Sequence, residues 1–175
     1  MRRQFLACGL LVMVAFSAYG QDKHQHLPAA STNAGLEKMK TLVGTWVAAD
    51  KDGKPTDQVV SVIKLTAGGS AVHETIFPGQ PQEMVSLYTV DGSDLVMTHY
   101  CMLGNRPGML LKSSDDKTLK FDFDATCGVD DKSEMHMHSL SITFTDAETI
   151  TQNWQLFENG KAKDSHPFTL KRVKS

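Results

Sequence analysis

From Gly44 onward the chain carries a turn signal every 10–15 residues, and no stretch between two signals is long enough for a connecting helix. The signals are Asp52-Gly53, Gly68-Gly69, Pro78-Gly79, Asp91-Gly92, the segments 104–108, 113–117 and 128–133, Asp146-Ala147 and Asn159-Gly160. Gly supplies the positive φ that tight turns need, and Asp or Asn hydrogen-bonds its own backbone. Nine breaks leave ten extended segments. Parallel neighbours would require crossovers of a dozen or more residues, so consecutive segments must pair antiparallel, as a meander. An open ten-stranded sheet exposes two edges, and closure into a barrel removes both. The expected fold is therefore an all-β, ten-stranded antiparallel barrel in a single domain over 35–175.

One helical pattern precedes it. Leu36, Met39, Leu42 and Val43 recur at i, i+3, i+6 and i+7, with Asn33 as a candidate N-cap, which predicts a short amphipathic helix over 35–43 that caps one barrel end. Period-two alternation assigns the faces of the strands. Leu119, Phe121, Phe123, Ala125 and Cys127 form one inward set, and His136, His138, Leu140, Ile142 and Phe144 another. Ile150, Gln152, Trp154 and Leu156 form a third, and Leu95, Met97, His99 and Cys101 a fourth. His166, Phe168, Leu170 and Arg172 share a face of the last segment, and Met135 and Met137 alternate outward. Glu74 is compatible with either face.

Gly44-Thr45-Trp46, directly after the helix and opening the first strand, together with Arg172 on the last, resembles the lipocalin and calycin signature. The resemblance implies that Trp46 packs at the closed barrel end with Arg172 over its ring, a cation–π contact of ~0.5–2 kcal/mol. Ten strands are similar to the fatty-acid-binding and nitrobindin-like members. Thr98 to Pro107, followed by His136-Met137-His138, also resembles small exported bacterial lipocalin-like proteins of unassigned function. The superfamily implies binding of small apolar ligands, although a fold alone does not establish a function.

Residues 1–20 read as an export signal. Arg2 and Arg3 form a positive start, Phe5 to Phe16 an apolar run, and Ala18-Tyr19-Gly20 a small-residue end that predicts cleavage before Gln21. The run is shorter than the ~20 residues a membrane-spanning helix needs. Arg2-Arg3-Gln4-Phe5-Leu6 also resembles the twin-arginine export motif. Residues 21–34 are polar and aperiodic, a tether. The expected compartment is periplasmic or secreted, with no integral membrane segment after cleavage. A formal charge of −2 gives no basic field for a nucleic-acid partner.

Several side chains are candidates for chemistry. In an oxidising compartment Cys101 and Cys127 form a possible disulfide. The principal expectation is a binding protein for a small apolar ligand, with His99, Phe121, Phe123, His136, His138, Gln152 and Trp154 lining its cavity and no cofactor. A second reading makes His99, His136 and His138 ligands of Zn or Cu, because two imidazoles at i and i+2 on a strand point the same way. A variant of it, implied by the nitrobindin resemblance, makes His166 an axial haem ligand. A third is a structural or interaction module with a filled barrel. Catalysis has one candidate, Cys101 beside His99, and no phosphate loop, His-Glu-x-x-His or nucleophile elbow accompanies it, so a binding protein is favoured over an enzyme.

Overall fold

The computed structural model describes residues 32–174, so the expected signal and all but the last residues of the tether lie outside the described residues. The ten strands are β1 (Gly44–Ala49), β2 (Pro55–Thr66), β3 (Ala71–Ile76), β4 (Met84–Asp91), β5 (Asp94–Tyr100), β6 (Gly108–Ser114), β7 (Thr118–Phe123), β8 (His136–Asp146), β9 (Thr149–Glu158) and β10 (Lys161–Arg172). Each pairs antiparallel with its sequence neighbours, and β1 closes the ring against β10. The meander and its closure agree with the turn spacing.

The helix, α1 (Ala34–Lys40), begins where the Asn33 side chain accepts the Leu36 backbone N–H at 3.0 Å. It is shorter than expected, because Thr41 caps it and the chain turns through Leu42 toward β1. Leu36, Met39 and Leu42 are buried, whereas Val43 is exposed. The helix stoppers one barrel end: Asn33 Nδ2 donates to the Ser93 carbonyl at 2.8 Å, Lys38 Nζ donates to the Asp115 carbonyl, and the Lys38 ammonium lies 4.6 Å from the Phe144 ring centre. Gly35 permits this approach. A Cβ there would sit 2.5 Å from a Leu111 methyl carbon.

At the same end Trp46 is fully buried and donates its indole N–H to the Leu42 carbonyl at 2.8 Å. The Arg172 guanidinium stands 4.3 Å from the Trp46 ring centre and donates to the Val43 and Thr41 carbonyls at 2.7 and 2.9 Å. One residue of the last strand thus ties down the first strand and the exit of the helix. Above this layer the interior is filled by Met97, Met109 and Phe121, with Tyr88 meeting Phe121 edge-on at 5.5 Å.

Alternation places most faces as expected. Leu95, Met97, His99 and Cys101 are buried together, as are Ile150, Gln152 and Trp154. Two segments depart from it. Ala125 and Cys127 do not continue the inward face of β7, because Asp124 caps a single 3-10 turn over Ala125–Cys127 that ends the strand. In β8 the register shifts between Met137 and Ser139, making His138 the extra residue of a bulge. The bulge reverses the sides of the start of the strand: Met137 packs on the core, contrary to the outward position expected for it.

Candidate functional site

Three adjacent strands bring three polar side chains into the interior. Glu74 on β3 is opposite Ser86 on β4, which is opposite His99 on β5. Directly opposed residues share a face of the sheet, so this row points into the barrel together. All three are at most 1% exposed. Glu74 Oε1 accepts from Ser61 Oγ at 2.6 Å and Gln152 Nε2 at 2.8 Å, and Oε2 accepts from Tyr88 OH at 2.8 Å. Its partners are neutral donors, without a Lys or Arg. Burial, and then the neighbouring Glu74 carboxyl, push the Tyr88 phenol well above its ordinary range.

His99 continues the row. Its Nδ1 lies 3.0 Å from Ser86 Oγ, its ring is tilted against Trp154 at 4.7 Å, and its Nε2 has no hydrogen-bond partner among the described residues. Burial lowers its pKa to about 4, so the ring is neutral at pH 7 and presents one unsatisfied donor or acceptor. Such an atom costs ~1–3 kcal/mol when nothing meets it.

His99 forms part of the wall of a cavity of about 190 Å³ at the barrel end opposite α1. The rest of the wall is Ile76, Phe77, Met84, Met102, Met137, Trp154, His166 and Phe168. Phe77 and Phe168 meet edge-to-face at 5.7 Å. Around the mouth Tyr100, Met102 and Leu103 are exposed, and Asn105 Nδ2 holds this loop to the one preceding β8 through the Met135 carbonyl at 2.9 Å. A larger depression of about 320 Å³ lies on the outer sheet face, but Lys112, Lys120, Asp122, Ser139, Asn153 and Gln155 make it polar. Concave apolar walls with one oriented polar group are the usual form of a small-molecule site, which singles out the end cavity.

Of the residues expected to line a cavity, His99 and Trp154 do so. Phe121 and Gln152 lie deeper, in the filled core and on Glu74. Phe123, His136 and His138 are elsewhere. The bulge puts Met137 in the cavity wall and leaves the imidazoles of His136 and His138 out of it. His136 Nδ1 donates to the Glu134 carbonyl at 2.8 Å and its Nε2 meets His138 Nδ1 at 3.0 Å. The His138 ring stacks between Phe157 at 3.6 Å and Phe123 at 5.0 Å, with Nε2 3.7 Å from exposed Asp122. Phe77, Met84 and Met102 were not foreseen as wall residues. They flank the turns at Pro78-Gly79 and 101–107, where alternation has nothing to count.

The metal set of His99, His136 and His138 is not assembled, and among the described residues no three His, Cys, Asp or Glu side chains converge as a metal shell. His166 is exposed at the cavity rim, and a space of about 190 Å³ falls below the ~300–1,000 Å³ of drug-sized sites, so these residues do not fit a haem. Cys101 and Cys127 are free thiols, which corrects the expected bridge. The strand end at Phe123 explains it: Cys127 sits in the 3-10 turn beside Gly108, whose Cβ position would be 2.8 Å from the Cys127 Cβ, while Cys101 Sγ contacts Met84 Sδ at 4.0 Å. Burial pushes the Cys101 thiol pKa up, the opposite of nucleophile activation, and no hydrogen bond joins it to His99 among the described residues. Protein starting at Gln21 and unfolded without reductant is therefore expected to titrate two thiols with a thiol reagent. A count of zero would restore the bridge.

The lowered His99 pKa gives a second expectation. A histidine depressed in the folded state contributes stability that is complete above its unfolded value near 6.5 and is lost as pH falls toward 4. His138 is lowered as well, by burial first, and acts in the same direction. Between pH 7 and pH 4.5 wild type should lose ~2–3 kcal/mol more unfolding free energy than His99→Gln, as read by urea titration. Parallel losses in the two proteins would show that His99 is not held neutral by burial.

No protein-family model matches the chain, and no curated protein matches it. The ring of ten antiparallel strands is consistent with a calycin-like fold.

Proposed function

We propose that the chain is an exported, lipocalin-like binding protein that holds a small, neutral, largely apolar molecule in the end cavity and orients its one polar group on His99 Nε2. The observation that carries the reading is the pairing of that buried nitrogen, without a partner among the described residues, with a wall that is apolar except for His166 at its rim. A ligand group meeting Nε2 removes the cost of the unsatisfied atom, and the apolar wall contributes ~25 cal/mol for each Å² it removes from water. The filled, helix-stoppered end acts as a rigid base. Residues 1–20 support a periplasmic or secreted location, and the Trp46–Arg172 pair supports kinship with lipocalins.

Native mass spectrometry of protein taken from its original host tests the reading, with Met137→Trp as the variant whose larger side chain occupies the cavity. A small co-purifying mass on wild type that is missing from Met137→Trp is the expected result. An adduct retained equally by both, or none on either, would count against the end cavity as the site.

A further inference from the structure

Resting on the binding reading above, we infer that the cavity is dimensioned for one six-membered aromatic ring bearing a hydroxyl, a phenol-class molecule. Size comes first. An apolar cavity of ~150 Å³ takes up benzene, and the space here is about 190 Å³, which leaves room for one small substituent. A long alkyl chain cannot continue inward, because the interior toward α1 is closed by Met97, Met109, Tyr88 and Phe121, each at most 1% exposed, and its excess length would stand in water at the mouth.

The wall chemistry selects further. Phe77, Phe168 and Trp154 offer ring faces and edges, and Met84, Met102 and Met137 offer thioethers. Aromatic pairs and sulfur–aromatic contacts both add attraction beyond area burial, so an aromatic guest outcompetes a saturated ring of equal size. No Lys or Arg lines the cavity, His99 is neutral, and the other imidazole, His166, stands exposed at the rim, so a carboxylate or phosphate drawn inside would lose its hydration without a buried counter-charge. A hydroxyl loses less and recovers it on Nε2, because it can donate to or accept from that atom, whichever tautomer Ser86 holds.

Calorimetric titration at pH 8 with phenol, toluene, cyclohexanol, benzoate and decanol tests the inference. Phenol is expected to bind about three- to tenfold more tightly than cyclohexanol, and benzoate and decanol more weakly than either. In His99→Leu the affinity for phenol should fall about tenfold while that for toluene is kept, toluene binding serving as the check that the variant is folded. Should His99→Leu not fold, the Nε2 nitrogen resonance of wild-type His99 provides the same comparison, shifting with phenol and not with toluene. Tighter binding of decanol, cyclohexanol or benzoate, or an equal loss of phenol and toluene affinity in His99→Leu, would overturn the phenol assignment and leave the binding reading standing. Failure of all five compounds to bind would overturn both.

Discussion

Replacing Trp46 by alanine is expected to lower the unfolding free energy by ~3–5 kcal/mol, the usual cost of truncating a fully buried large aromatic. Three losses coincide there. The cavity left behind lies at the closed barrel end, where Trp46 is 0% exposed. The Leu42 carbonyl loses its indole donor, and Arg172 loses the ring beneath its guanidinium. Arg172 keeps its bonds to Val43 and Thr41, so Arg172→Lys should cost less, removing the planar fork and leaving the aromatic packed. Denaturant unfolding monitored by far-UV circular dichroism measures both. A Trp46→Ala loss under about 1 kcal/mol would mean that helix, β1 and β10 are not joined through this side chain.

The second large effect is expected at Glu74. Glu74→Ala strands the hydroxyls of Ser61 and Tyr88 and the amide of Gln152 inside the barrel, each previously satisfied by the carboxyl. A buried donor without an acceptor costs ~1–3 kcal/mol, and three of them should reduce stability by ~3–5 kcal/mol after relaxation. The same logic predicts rescue: in the Glu74→Leu, Ser61→Ala, Tyr88→Phe, Gln152→Leu combination most of the loss should return, because no orphan donors remain. A combination as unstable as the single variant would show that the cost lies in packing. Tyr88 adds a signature at high pH. Its phenol is held protonated in the folded state above the unfolded value near 10, so its contribution is complete below pH 10 and is lost as pH rises beyond it, and Tyr88→Phe should flatten that limb.

The ring of strands was legible because it rests on local signals. Asp91-Gly92 and Asn159-Gly160 are turns whatever surrounds them, since Gly92 and Gly160 adopt φ of 60° and 67°, and even Asn159 lies at 51°. The inward face of β5 was less sharply written, because Val96 and Tyr100 are apolar too, yet Leu95, Met97, His99 and Cys101 are the buried set. The cavity was only partly legible. Trp154 and His99 lie on regular strands and were found, whereas Met137 was misplaced by one bulge residue, and a register slip of one exchanges faces for everything on that side of it. The same slip keeps His138 and the fully buried His136 out of the cavity wall, where alternation had put them. Glu74 was undecided because a lone carboxyl between Val72 and Ile76 reads as either a buried acid or an edge charge. Two of its donors, Ser61 and Tyr88, stand on the flanking strands β2 and β4, but the third, Gln152, lies 78 residues away on β9 and reaches it across the interior only once the barrel closes.

Methionine methyl resonances test the placement of the binding site most directly, because six of the methionines divide equally between its wall and the filled core. Met84, Met102 and Met137 line the cavity, and Met39, Met97 and Met109 are buried away from it. In protein labelled at the methionine methyls and titrated with phenol, the account predicts saturable shifts of the first three and of the Trp154 indole, with the core methyls unmoved. Shifts spread over Met39, Met97 and Met109, or confined to groups outside the end cavity, would contradict it.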